Sequence, residues 1–285
     1  MNSVFLILIH ANSNQLRRLI NKLVIGNSTI FLHLDLKVDI VQFEEYRTFP
    51  NIIFITKRVK VNWGAYSMVQ CMVNSFKEMI PHFEQHQYVS VLSGQDYPLM
   101  PLEEMNVFLK QHQGKAFMEF YPVYTEWVEA IPRLEKFHLT NFSFPGNSML
   151  ESLLNLMLPK RIPPKELSYV GRSQWFTITI EHIEYIVNFL ESNSHIKRFF
   201  TLTWGSDEIV FQSILFSSQY KDQMINNNLR YIDWSEGSAS PKILTLEDVE
   251  QIKNSGKFFA RKFDSTIDSE IFDWIDDHLL TKKIP

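Results

Sequence analysis

Hydrophobic and polar positions alternate between two periods along this chain. Residues 4–9, "VFLILI", are an unbroken apolar run of strand length, followed by "HANSN" and by "QLRRLINKLV", whose apolar positions recur at helical spacing. "STIFLHLD" (28–35) and "NIIFIT" (51–56) repeat the strand pattern, and "AYSMVQCMVNSFKEMI" (65–80) repeats the helical one. "QYVSVLS" (87–93) is a fourth strand, leading through the turn "GQDYPL" into the helix "PLEEMNVFLKQH". Strands without polar alternation belong to a parallel sheet covered on both faces, so the first ~115 residues predict an α/β half of nucleotide-binding type.

The pattern loosens over residues 116–172. "KAFMEFYPV" reads as a strand, and "PGNSMLESLLNLMLPKRIPPKELSYVGRS" as a helix followed by a Pro-rich basic loop. Irregular chain after a nucleotide-binding half suits a substrate-binding region. Regular elements then return: the strand "QWFTIT" (174–179), the helix "IEHIEYIVNFLESN", the strand "NLRYIDWS", the capped helix "TLEDVEQIKNSG", a strand or tight loop at "KFFARKFD", and a last helix, "DSEIFDWIDDHLL". No linker or internal repeat divides the chain. The expectation is one domain over 1–285, a nucleotide-binding half at 1–115 and an acceptor-binding, catalytic half at 116–285.

Composition narrows the chemistry. A net charge of -4 with no basic run beyond "TKKIP" excludes a nucleic-acid partner. The single cysteine, Cys71, excludes an internal disulfide and a zinc cluster, and its apolar helical setting makes it a small core residue. The N-terminal apolar run is too short for a membrane span or a signal peptide, so a cytoplasmic setting is expected, with peripheral contact to the inner face of a membrane still compatible. No G-x-G-x-x-G and no P-loop is present. Acids at strand ends, Asp35 and Asp96, stand alone rather than as Asp-x-Asp, and none of the nine His falls in H-E-x-x-H; no metal and no cofactor is expected. A bound diphosphate would then need side-chain cations, for which Lys242, Arg261 and Lys262 are the candidates.

The stretch "GSDEIVFQSIL" has two readings. Ser206 followed by Asp207 and Glu208 is an ordinary capped helix start, because acids in a first turn gain up to ~1 kcal/mol from the helix dipole. The same position is a rigid mount for a carboxylate that accepts a proton from a sugar hydroxyl.

The blocks "NWGAYSMVQCMVNSF", "YVSVLSGQDYPLMPLEEMNVFL", "SQWFTITIEHIEYI", "GSDEIVFQSIL" and "GKFFARKFD" occur in this order and resemble the core-2/I-branching β-1,6-N-acetylglucosaminyltransferases and their relatives, the peptide O-xylosyltransferases. The resemblance covers nearly the whole chain and is weakest over ~120–170. It implies a GT-A-like glycosyltransferase fold, with a mainly parallel Rossmann-like sheet flanked by helices. It also implies inverting transfer of N-acetylglucosamine, or alternatively xylose, from a UDP-sugar donor to a hydroxyl of a glycan or glycolipid acceptor, without a metal. Carried over by position, Glu208 resembles the catalytic base, and Lys242 and Lys262 the pair that binds the diphosphate. His10 and Asp35 resemble uridine contacts, and Glu119, Arg133 and Trp175 acceptor contacts; Asp96, in the "SGQDYPL" turn, joins the acceptor group. The animal Golgi enzymes carry an anchor, a stem and disulfides, so a compact bacterial-type relative is expected. "NWGAYS" leans toward the xylosyltransferase form of its motif and "SDE" toward the branching enzymes.

Overall fold

The computed structural model describes residues 3–25 and 28–281; apart from Thr281, the basic end "TKKIP" lies outside them. Parallel β-strands β1 (Val4–Ile9), β2 (Thr29–Leu34) and β3 (Ile52–Phe54) are joined by α1 (Asn14–Leu23) and by an irregular segment. α2 (Tyr66–Met79) returns the chain to β4 (Tyr88–Ser93), which pairs parallel with β1. Next come the short β5 (Tyr97–Pro98), α3 (Leu102–Gln111), β6 (Ala116–Pro122), α4 (Ile131–Glu135), α5 (Asn147–Met157) and the long β7 (Val170–Thr179). The final part holds α6 (Ile180–Ser192), α7 (Ser194–Thr201), α8 (Val210–Phe216), β8 (Met224–Asn226), β9 (Arg230–Ile232), α9 (Val249–Asn254), β10 (Phe259–Arg261) and α10 (Glu270–His278).

The main sheet has seven strands in the order β3-β2-β1-β4-β7-β6-β8; β7 runs antiparallel to both of its neighbours. This is the expected mainly parallel α/β sheet. Apolar cores cover both of its faces. Val4, Leu6 and Leu8 of β1 pack with α2, whereas Phe5, Ile7 and Ile9 pack with α1 and α10. Alternate residues of one strand thus enter opposite cores, which is why the strand reads as a continuous apolar run.

A second sheet has three strands in the order β5-β10-β9, with β10 antiparallel to β5 and parallel to β9. Arg230 of β9 ties it to the main sheet. Its guanidinium donates to the carbonyls of Val91 (3.0 Å) and Phe176 (2.9 Å) and to the Thr177 hydroxyl (2.7 Å). Complete burial pulls its pKa down to about 9. Among the described residues no helix is long and apolar enough to cross a membrane.

The order β3-β2-β1-β4 reverses direction between β1 and β4. In open α/β sheets the crevice beyond the carboxyl ends of the strands at such a reversal is the usual ligand site. His10 follows β1, Asp35 follows β2, and the turn 93–96 follows β4, so all three lie at that edge.

Candidate active site

The acid-bearing turn is built around two glycines. Gly205 has φ 63°, and its amide donates to the Gly64 carbonyl at 2.7 Å. A Cβ at Gly205 would fall 2.6 Å from Arg133 Nη1, and one at Gly171 of β7 would fall 2.0 Å from the Glu208 carbonyl oxygen. Glycine is therefore required at 205 by backbone conformation and at 171 by close approach. Ser206–Glu208 form one 3₁₀ turn, and α8 begins only at Val210. The expected N-cap is corrected here: Ser206 lies inside the turn, and its buried Oγ has no hydrogen-bond partner among the described residues. The left-handed residue before it, rather than a side-chain cap, sets the chain direction.

The two acids diverge. Asp207 points into the protein, where burial and then the neighbouring Glu208 charge push its pKa up to about 7; Oδ1 has no partner among the described residues. Glu208 faces outward, its side chain 29% exposed, with Oε2 2.5 Å from Arg133 Nη1. The Arg133 guanidinium lies over two indoles, Trp204 at 4.3 Å and Trp127 at 4.8 Å from the ring centroids. Cation–π contact fixes the arginine, and the arginine fixes the carboxylate.

A second cation lies within electrostatic reach of this carboxylate. Arg261, at the end of β10, stacks over Trp175 at 4.2 Å, and its Nε donates to Asp96 Oδ1 at 3.0 Å. Burial lowers the Arg261 pKa, while the negative charges of Asp96 and Glu208 raise it. The exposed His10 has its pKa lowered by partial burial and then by Lys262, with Arg261 and Lys37 acting in the same direction and Asp35 opposing. His10, Asp35, Lys37, Arg261 and Lys262 therefore share one field at the carboxyl edge of β1 and β2, and Arg261 joins that field to Glu208. Asp35, nearly buried, accepts the Lys37 amide at 2.9 Å and pairs with Lys37 Nζ at 3.3 Å.

Three expected contacts stand elsewhere. Asp96 has no accessible surface, and its carboxylate accepts from the Ser93 amide (3.0 Å), the Ser93 hydroxyl (2.9 Å) and Arg261, so it braces the cation and does not face an acceptor. Trp175 is 5% exposed and is covered by Arg261. Lys242 turns to Asp248 at 2.6 Å, and its other charged neighbours are Asp233 and Glu236. Lys242 is thus paired with the acidic start of α9, while its segment stays bonded to Lys262 through the Leu244 amide, which donates to the Lys262 carbonyl at 2.9 Å. Glu119 accepts from Asn228 Nδ2 at 3.1 Å; burial raises its pKa, Arg172 and Lys257 oppose this, and Glu208 adds to it. That places Glu119 within electrostatic reach of Glu208.

Sequence reasoning did not find Trp127, Trp204 and Gly171. Trp127 and Trp204 carry no local pattern, but "NWGAYS" held a signal. Gly64 of that block meets the Gly205 amide, and its neighbour Trp63, 66% exposed, sits edge-on to Trp204 at 5.6 Å. Among the described residues no group of three or more His, Cys, Asp or Glu is arranged to hold a metal ion.

The family model described as "Core-2/I-Branching enzyme" matches residues 2–254. Similar curated proteins include Xylosyltransferase 2 of Rattus norvegicus, 24% identical across 96% of this chain and 33% of its own length. Xylosyltransferase sqv-6 of Caenorhabditis briggsae is 22% identical across 91% of this chain and 34% of its own. The chain spans about a third of the length of the curated relatives it matches. Among solved structures, S. aureus TarS 1-349 aligns over 79% of this chain and 57% of its own with a TM-score of 0.41 and 13% identity.

Proposed function

This chain belongs to the core-2/I-branching enzyme family, and from that premise we propose that it is an inverting, metal-independent glycosyltransferase with a GT-A-like fold, moving N-acetylglucosamine from UDP-N-acetylglucosamine to a hydroxyl of a glycan acceptor. The observation that supports this reading is the carboxylate of Glu208, partly exposed and held 2.5 Å from Arg133, whose guanidinium lies over Trp127 and Trp204, against the same sheet whose strands β1 and β2 lead directly into His10 and Asp35.

In this mechanism the acceptor hydroxyl gives its proton to Glu208 as its oxygen attacks the anomeric carbon. The bond between that carbon and the β-phosphate oxygen breaks on the opposite face. UDP leaves with the bonding electron pair, and one configuration is inverted. The charge that develops on the diphosphate is met by Lys262 and Arg261, which supply the counter-charge a divalent ion would otherwise give. His10 and Asp35, at adjacent strand ends, serve the uridine. Glu119 and the exposed Trp63 serve the acceptor, the indole offering an apolar face to sugar C–H groups.

A second donor has support of its own: the curated relatives described above are xylosyltransferases, which favours UDP-xylose with the same chemistry. The test is a panel of UDP-sugars, with UDP release followed with and without acceptor glycans and in the presence of EDTA. UDP-N-acetylglucosamine turnover that needs an acceptor and survives EDTA is expected. Preference for UDP-xylose would move the donor assignment. UDP binding without turnover of any donor would make the chain a non-catalytic nucleotide- or carbohydrate-binding member of its fold.

A further inference from the structure

One surface of the molecule is not used by the chemistry above. α5 is turned inside out. Its polar stripe, Asn147, Glu151 and Asn155, is spaced four residues apart and holds the helix to the body. The Asn155 amide group binds both the amide and the carbonyl of Phe137 at 2.8 Å. Glu151 accepts the Leu139 amide at 2.7 Å, and Asn147 donates to the Leu139 carbonyl at 3.0 Å. The apolar stripe faces away: Met149 is 78% exposed, Leu156 83% and Met157 72%, and Ile162 beyond the helix is 82%. A helix packed on a globular body presents the reverse arrangement, and a contiguous apolar patch of this kind needs a cover.

The surrounding charge indicates what covers it. Residues 135–166 hold four Lys or Arg against three acids, of which Glu135 pairs with Lys160 and Glu166 with His195; Lys136 and Lys165 are the exposed cations left over. Arg161 is turned inward and staples the Pro-rich turn to the carbonyls of Lys136 (3.0 Å) and Leu202 (2.6 Å). Lys136 and Lys165 are exposed and have no ionic partner among the described residues, and Lys160 reaches Glu135 at 2.6 Å while itself mostly exposed. A cavity of about 260 Å³ lies between α4 and the end of α5, its lining including Ile131, Pro132, Leu158, Pro159, Lys136 and Lys160. Its walls also carry Glu135, which pairs with Lys160, so Lys136 is the lysine there with no ionic partner among the described residues; apolar walls with one such cation suit an acyl chain under a phosphate headgroup. Self-association through this face would bring the lysines of two copies together, which disfavours a second copy as the cover.

We propose that α5 and the basic turn after it dock this chain on an anionic lipid surface, the apolar stripe at the acyl boundary and Lys136, Lys160 and Lys165 on lipid phosphates. The adjoining α4 carries Arg133, so docking would turn the Glu208 side toward acceptors held in the membrane; only this last clause rests on the proposed function. The experiment is co-sedimentation with vesicles of phosphatidylcholine alone and of phosphatidylcholine mixed with phosphatidylglycerol, with no sugar chemistry involved. Binding to the mixed vesicles is expected, at least tenfold weaker on neutral ones and weakened by salt. Leu156→Asp with Met157→Asp should abolish it, and Lys136→Glu with Lys165→Glu should remove the preference for anionic lipid. Both pairs should keep the parental melting temperature and UDP-induced stabilisation, since all four side chains are exposed. The proposal is overturned if the parent stays in solution with both vesicle types, or if the variants bind as the parent does. It is equally overturned if light scattering finds a dimer that the aspartate pair converts to monomer, which would make the patch a self-interface. Loss of transferase activity with vesicle binding intact would count against the proposed function and leave the docking surface standing.

Discussion

Arg133 Nη1 lies 2.5 Å from Glu208 Oε2 while its guanidinium lies over the rings of Trp127 and Trp204. The pair works as a jig: the indoles fix the arginine, and the arginine fixes one oxygen of the carboxylate; in the proposed mechanism the other oxygen takes the acceptor's proton. Glu208→Gln should lower kcat by about 10²–10⁴-fold, the usual contribution of a general base, with UDP-induced stabilisation kept. Arg133→Met should lower kcat by up to about 10²-fold through misplacement. Because the two act as one unit, the double variant should be little worse than Glu208→Gln alone. Multiplicative losses in steady-state kinetics would show that Arg133 acts independently of the base.

The two lysines separate cleanly. Lys262 stands in the field of His10, whereas Lys242 is paired with Asp248. Lys262→Ala should weaken UDP binding about tenfold or more in calorimetry, as expected for loss of one charge-assisted contact. Lys242→Ala should leave the affinity within twofold. Equal losses in both variants would return Lys242 to the diphosphate.

Much of the fold was legible because the strands are buried on both faces. β1, β2 and β4 therefore appear as apolar runs, and α2 and α6 carry apolar residues three and four apart. Glu208, His10 and Asp35 were legible as acids or imidazole at the ends of elements. What escaped depends on residues far apart in sequence. The Asp96–Arg261 brace joins positions 165 apart, and Arg133 meets Glu208 across 75. Ser206 looked like a cap because Ser-Asp-Glu before an apolar run is the local signature of one; the contacts of Gly205 and Gly171 that displace it carry no local signal. α5 has ordinary helical spacing, but its apolar face points outward, and periodicity cannot tell which way a stripe faces.

Gly171 leaves no room for a side chain. A methyl group there would meet the Glu208 carbonyl oxygen at 2.0 Å and Ile209 Cα at 3.0 Å, both backbone atoms that cannot rotate aside. Gly171→Ala must shift β7 or the 205–209 turn, at a cost of about 1–3 kcal/mol for overpacking. If Glu208 is the base proposed above, turnover should fall more than UDP affinity does, since the clash falls on the Glu208 turn and not on the cationic group. A variant with parental kcat and melting temperature would mean the turn yields freely.

Asp207 gives the protein a pH dependence of definite sign. Its folded pKa is raised from 3.8 to about 7, so between those values the folded state holds a proton that the unfolded state has released. Stability then falls as pH rises, because the slope follows the protons bound by the unfolded state minus those bound by the folded one. The contribution is fully present below about pH 4 and is lost by the time pH passes about 7. Asp207→Asn is neutral throughout and nearly the same shape, so it lacks this slope. Measured by urea unfolding, the variant should gain on the parent from pH 5 upward, by about 1.4 kcal/mol for each unit traversed below the raised pKa, and the difference should level off above about pH 7. A difference between the two proteins that stays constant across that range would mean that Asp207 is ionised in the folded state throughout, and that a cation balances it.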